Sequence, residues 1–346
     1  MIQQKAIDSD AALWEYQFSF LSMNYKLSRD NRSIEAGITE VDEKLDQYFV
    51  LEKFRLAVPI ANRNYILAKR TQLNSVQEAI RMYQQYQWTD FPLLHAHYLA
   101  LVMLQAPEEE DNFSSLVRYL GTTASKIPKA ECRALYNIAL NFCSIQSKRG
   151  KSHYLEFMFS IFENMIEQDL LLSDPSVAPP NFKNAVTLAI KLKKFDWTEN
   201  FIRQNSQKLP ESHRDIIMHY SMATLAFVQK KFSIAQKHLL EVDFLDTFYR
   251  LSADILLLKI YYEIGEAESL FFKILALRKY LQRDKTLAEQ NQKAYKNFCR
   301  VLYKMSRWQF DRSGKLESLE KMIANTRPLV ENQWLNEKIE LFKANY

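Results

Sequence analysis

Glycine is nearly missing from this chain, with five residues in 346, and no other feature restricts the fold as much. Hairpins, phosphate-binding loops and tight β-turns need residues that tolerate positive φ, and glycine meets that need at least cost. With 47% hydrophobic residues, a chain poor in tight turns must bury its apolar surface through helices. The nine prolines mostly stand just before or after long apolar-periodic stretches, where a helix starts or stops. The sequence predicts an all-α protein.

Charged residues at 25%, with 22 Phe, 18 Tyr and 5 Trp, give the profile of a folded chain rather than a disordered tail. A net charge of +5 spread evenly would support neither a strong nucleic-acid field nor a membrane-binding one, so only a local cluster matters. Met1 to Asp10 lacks the basic and apolar segments of a secretory signal. The apolar stretch Ile255 to Ile264 is broken by Lys259 and Glu263, well short of the roughly 20 residues of a membrane span. The expectation is a cytoplasmic protein without membrane contact. Cys132, Cys143 and Cys299 lie in apolar helical patterns without paired spacing, which points to buried thiols.

Apolar residues at three- and four-residue steps predict helices over 9–28, 41–57, 60–70, 75–87, 92–105, 108–120, 129–146, 152–171, 182–193, 197–208, 211–229, 233–242, 246–264, 266–283, 287–310, 314–326 and 330–343. Ser75 with Glu78, Asp196 with Glu199, and Thr286 with Glu289 have capping-box spacing. Pro128 and Pro210 suit helix starts, and Gly121, Gly150, Gly265 and Gly314 fall at predicted breaks. Short connections make consecutive helices antiparallel hairpins. The proline-rich stretch Ser173 to Pro180 cannot propagate a helix. It separates an irregular half, 1–172, from a more regular one, 181–346, either as a long loop within one continuous solenoid or as a domain linker.

Phe195 and Phe232 carry the same arrangement twice, 37 positions apart. In the second copy Ala223 and Ala226 precede Lys230 and Lys231, and Ala235, Leu239 and Val242 follow Phe232. In the first, Val186, Ala189, Thr198 and Ile202 take the same offsets, with Pro210 closing. Small residues belong where two helix axes approach to about 8–10 Å. Poorer copies cover Leu258, Tyr261, Gly265, Leu270 and Ile274, and Leu135, Ile138, Ala139 and Phe142 with Tyr154, Phe157 and Ile161. The pattern over 129–283 resembles the tetratricopeptide-repeat family, whose period is about 34 residues. That resemblance implies a right-handed α-α superhelix of stacked antiparallel helix pairs with a concave binding surface. The family's glycine is replaced, the helix at 287–310 is too long, and the first ninety residues fit badly.

Side-chain chemistry names no reaction. His95 and His97 point about 200° apart on a helix and cannot chelate one ion from one face. His213 and His219 are poorly spaced as ligands, and His153 and His238 are expected to be isolated. No H-E-x-x-H, G-x-S-x-G or phosphate-loop pattern occurs. Neither a cofactor nor a metal is implied. Glu108 to Asp111 fit a helix N-terminus, and Asp254 reads as a polar latch between helices.

The clearest local signal is Lys293, Lys296, Arg300, Lys304 and Arg307, which fall within an arc of about 80° on one helix. Tyr295, Phe298, Leu302 and Met305 lie across the axis as the packing face. Residues 278–315 hold eleven basic side chains, among them Arg278, Lys279, Arg283, Lys285, Arg312 and Lys315, against Asp284, Glu289 and Asp311. Such a stripe is either a solvated outer face or a dock for a carboxylate-rich partner. The sequence favours a non-enzymatic scaffold that binds an extended or helical, acidic peptide. Its expected contacts are His219, Tyr220 and Tyr261 on exposed helix faces, with the basic stripe closing one end. The alternatives are a nucleic-acid-binding helical repeat that uses Tyr295 or Tyr303 and an enzyme whose helix-borne groups leave no short motif.

Overall fold

The computed structural model describes residues 9–29, 34–172, 178–242, 247–284, 286–311 and 316–344, and among these residues the regular elements are helices, with no strand. None of the described helices is long and apolar enough to cross a membrane. The chain divides into two compact units, one of Met1–Lys194 with Lys208–Pro210 and one of Phe195–Gln207 with Glu211–Tyr346.

The first unit contains α1 (Ser9–Arg29), α2 (Ile34–Leu67), α3 (Val76–Tyr86), α4 (Pro92–Gln105), α5 (Glu110–Thr123), α6 (Lys129–Lys148), α7 (Tyr154–Glu167) and α8 (Ala178–Lys191). Helix α2 unites the two helices expected at 41–57 and 60–70, with Pro59 inside it. An internal proline removes one hydrogen bond and costs roughly 3 kcal/mol. Complete burial of Val50, Leu51, Phe54 and Val58 around it stabilises by more, at roughly 1.5–3 kcal/mol per large apolar side chain. Helix α2 touches α1, α3, α4 and α6, and α4 touches α6 as well. On α1 the face away from Ala12 carries Trp14 and Phe18, 70% and 74% exposed, in line with the exposed Leu21 and Tyr25.

Other expectations shift in this unit. Ser173 to Val177 lie outside the described residues, but Ala178, Pro179 and Pro180 form the first turn of α8, where a missing amide proton breaks no bond. Gly121 sits inside α5 rather than at a break. Ser75 adopts left-handed backbone with φ 58° and its side chain makes no cap bond, so the expected capping box is absent there.

The second unit contains α9 (Phe195–Asn205), α10 (Glu211–Val228), α11 (Phe232–Leu240), α12 (Thr247–Ile264), α13 (Ala267–Arg283), α14 (Glu289–Asp311), α15 (Leu316–Asn325) and α16 (Asn332–Ala344). Each packs on its chain neighbour, and α10 also meets α12. One core joins α10, α11 and α12 through Ala223, Ala226, Ala235, Leu239 and Ile260. A larger one runs from Leu258 and Ile274 through Phe298 and Leu302 to Ile323 and Trp334. In that core α16 returns to α12: the Trp334 indole N–H donates to Glu263 Oε1 at 3.1 Å and Lys338 Nζ to Glu263 Oε2 at 2.6 Å. Lys259 Nζ meets Glu331 at 2.7 Å.

The repeat has a backbone signature. Gly150, Lys193, Lys230 and Gly265 all adopt positive φ, at 95°, 58°, 60° and 78°. After each, the next amide reaches back five residues: Lys151 to Gln146, Lys194 to Ala189, Lys231 to Ala226, and Glu266 to Tyr261. This left-handed helix stop satisfies carbonyls that a helix end leaves open. Seven residues before each turn stand Cys143, Val186, Ala223 and Leu258, and nine after it Phe159, Ile202, Leu239 and Ile274, all buried. The same helix stop closes α2 at Ala68 and α7 at Asp169, where Lys69 reaches Asn64 and Leu170 reaches Met165, and lysine takes glycine's place at Lys193 and Lys230. Val242, expected on the second helix of its pair, falls beyond the end of α11.

Candidate functional site

Helix α14 divides as its sequence pattern demands. Phe298, Leu302 and Met305 are fully buried and Tyr295 half-buried, whereas Lys293, Arg300, Lys304 and Arg307 are exposed. Lys296 is half-exposed and donates to Gln292 Oε1 at 2.8 Å. Among the described residues Lys293, Arg300 and Lys304 have no carboxylate within salt-bridge distance. Lys285, Arg312, Gly314 and Lys315 lie outside the described residues.

The junction that aims α14 is tied by Asp284. Its carboxylate accepts from the Thr286 hydroxyl at 2.6 Å, the Thr286 amide at 2.7 Å and the Tyr280 hydroxyl at 2.8 Å. These bonds, the Thr286 hydroxyl foremost, hold the carboxyl down at about 2. Thr286 thus serves Asp284 and does not cap α14, which begins at Glu289. Asp196 likewise lies within α9, and Glu199 pairs with Arg203 at 2.8 Å instead of closing a capping box.

Sequence reasoning missed what stands beside the basic stripe. Phe271, Phe272 and Leu275 on α13 and Tyr303 on α14 are exposed at 41%, 59%, 44% and 36%. The Phe271 and Tyr303 rings lie 6.0 Å apart, so the apolar patch bridges the two helices. Arg278 and Lys279 continue the same face of α13 and are exposed. A contiguous apolar patch rimmed by cations results, on a surface where single exposed apolar residues would need no explanation. The exposed spacing 271, 275, 278 marks this face in the sequence. Which side of α13 faces outward depends on the packing of Leu270, Ile274 and Leu277.

The other expected contact residues are not exposed. Tyr220 and Tyr261 are half-buried and pack against the core of α10, α11 and α12. His219 is half-buried too, for antiparallel pairing turns it toward α11. Its Nδ1 lies 3.2 Å from Nδ1 of His238 and 3.2 Å from Glu241 Oε2, and His238 Nδ1 lies 3.8 Å from the same oxygen. His238 is therefore not isolated. Burial, then the facing His219, push its imidazole below the ordinary range. The turn at Lys230 was the available signal, because His219 and Glu241 stand eleven residues on either side of it.

The remaining histidines and acids are built into the first unit. His97 is buried, its Nδ1 2.9 Å from the Leu93 carbonyl and its Nε2 3.6 Å from Glu131. Arg55 links Glu131 at 2.8 Å and Glu52 at 2.7 Å, so α2, α4 and α6 share one polar network beside a cleft of about 270 Å³. Its charged members already satisfy one another, as a latch requires. His95 contacts Tyr83, and His153, expected to stand alone, meets Glu110 at 3.0 Å in the first turn of α5. Asp254 pairs with Lys273 at 2.5 Å and latches α12 to α13. The three cysteines are buried, and burial pushes Cys132 and Cys299 up to about 12.

No protein-family model, curated protein or solved structure matches the chain.

Proposed function

We propose that the chain is a non-enzymatic interaction module of the helical-hairpin class, a divergent relative of tetratricopeptide repeats stacked in a right-handed superhelix, that works in the cytoplasm. The recurring left-handed turns between consecutive helices support that class. Its dock is the exposed face of α13 and α14, and the occupant is an acidic peptide segment carrying aromatic or aliphatic anchors. The carrying observation is the bridged pair Phe271 and Tyr303, exposed beside Arg300 and Lys304. Apolar anchors supply affinity through burial, and carboxylates gain charge-assisted bonds from Arg and Lys. The exposed Tyr303 between cations also suits base stacking, the one observation that favours a nucleic-acid reading.

Fluorescence anisotropy separates the two. Labelled peptides of Asp, Glu, Phe and Leu are compared with a single-stranded RNA of equal length at several salt concentrations. The proposal expects peptide binding that weakens about tenfold or more both in the Lys293/Arg300/Lys304 charge reversal and in Phe271→Ala with Tyr303→Ala. Tighter RNA binding that falls steeply with salt replaces the peptide reading with the nucleic-acid one. No binding of either at low ionic strength sinks both.

A further inference from the structure

We infer that His219, His238 and Glu241 form a binding site for a divalent cation of the zinc class. A tetrahedral zinc with ligands at about 2.0–2.1 Å holds its donor atoms about 3.3–3.4 Å apart. The three atoms here, two imidazole Nδ1 and one carboxylate oxygen, lie 3.2, 3.2 and 3.8 Å from one another. Two of the three spacings come close to an edge of that tetrahedron, and the third, at 3.8 Å, needs only a small closing movement. All three can coordinate through these atoms together.

The chemistry of the donor set agrees with the geometry. Two imidazoles and a carboxylate suit a borderline cation such as Zn²⁺, and no thiolate is present to select a softer one. Three protein ligands leave a fourth position, and Glu241, 39% exposed at its side chain, sits on the solvent side of the cluster. Two imidazoles facing nitrogen to nitrogen can share a proton, but the carboxylate oxygen stands within 3.8 Å of both nitrogens. A cation placed among the three atoms would be within reach of all of them.

The ligands come from a rigid frame. His219 projects from α10, His238 from the last turn of α11, and Glu241 is the residue that ends α11, its amide bonded to the Lys237 carbonyl at 3.1 Å. The cationic neighbours are Lys237, 3.7 Å from the other Glu241 oxygen, and Arg203, which is engaged by Glu199. Occupancy would tie the ends of the α10–α11 hairpin together across the turn at Lys230. The site lies apart from α13 and α14 in the chain, and its ligation is independent of the peptide dock.

The test uses the full chain freed of any affinity tag and stripped with chelator. Isothermal titration with Zn²⁺, and absorption spectra with Co²⁺, should report one equivalent in a four-coordinate site. Thermal unfolding should shift upward with added metal, because a ligand that binds only the folded state stabilises it. His219→Ala, His238→Ala and Glu241→Gln should each weaken binding about tenfold or more, and His213→Ala, on an exposed histidine, should leave it unchanged. Circular dichroism checks that each variant folds, and Glu241→Gln at the exposed edge stands in if a histidine variant does not. Absence of stoichiometric binding, or binding indifferent to Glu241→Gln and to whichever histidine variants fold, overturns the inference.

Discussion

The return of α16 to α12 rests on Glu263, and its replacement by glutamine measures that contact. The Glu263 and Lys338 side chains are 17% and 16% exposed, too shielded for water to replace a lost partner freely. Glutamine keeps an oxygen for the Trp334 indole N–H but turns a donor or a neutral oxygen toward Lys338. A hydrogen bond to a charged group contributes about 1.5–3 kcal/mol, so Glu263→Gln should destabilise the second unit by about 2 kcal/mol. For a unit of this size that lowers the midpoint by about 4–8 °C. Lys338→Met leaves the side-chain stem beside the Trp334 ring and removes the charge. The double variant should therefore lose less than the two singles together, with a coupling of at least about 1 kcal/mol. Urea unfolding followed by tryptophan fluorescence and circular dichroism supplies the four free energies. Strict additivity, or a single-variant loss below about 0.3 kcal/mol, would refute the claim that this half-buried ion pair holds the two helices together.

The left-handed turns make a paired prediction: Gly150→Ala and Gly265→Ala should each destabilise by about 1 kcal/mol, although neither added methyl meets a neighbour, while Lys193→Gly and Lys230→Gly should be neutral or stabilising in the same thermal assay. Acid should act through Asp284, whose folded carboxyl at about 2 lies below its ordinary 3.8. Its contribution is complete above pH 4 and is lost as pH falls through about 2, so Asp284→Asn should flatten the stability profile over that window, with carboxyl NMR titration as the direct check.

Much of the helical content was legible because burial imposes a 3.6-residue period, and the burial of Phe298, Leu302 and Met305 opposite the basic stripe follows from that period alone. Pro59 was misread because a local rule about one hydrogen bond was set against tertiary burial that the window around it does not contain. The capping boxes failed for a related reason: Thr286 and Glu199 found nearer partners in Asp284 and Arg203. Scarce glycine was the right clue to helices but a poor guide to turns. Ala68, Ser75, Gln87, Asp169, Lys193, Lys230 and Glu331 all take the left-handed conformation without it. The aromatic patch at Phe271 and the histidine pair were hidden because each spans two helices, and their meeting depends on how the hairpins close.

The embrace of α12 by α16 also bears on how the second unit comes together. Trp334 and Glu263 are 71 residues apart in sequence, while the hairpins between them close over far shorter loops. A contact of such separation is made only when the entropy of closing the intervening chain is lost. The Trp334 covering of Tyr262 and Phe298 therefore depends on that long closure and not on the local hairpins alone.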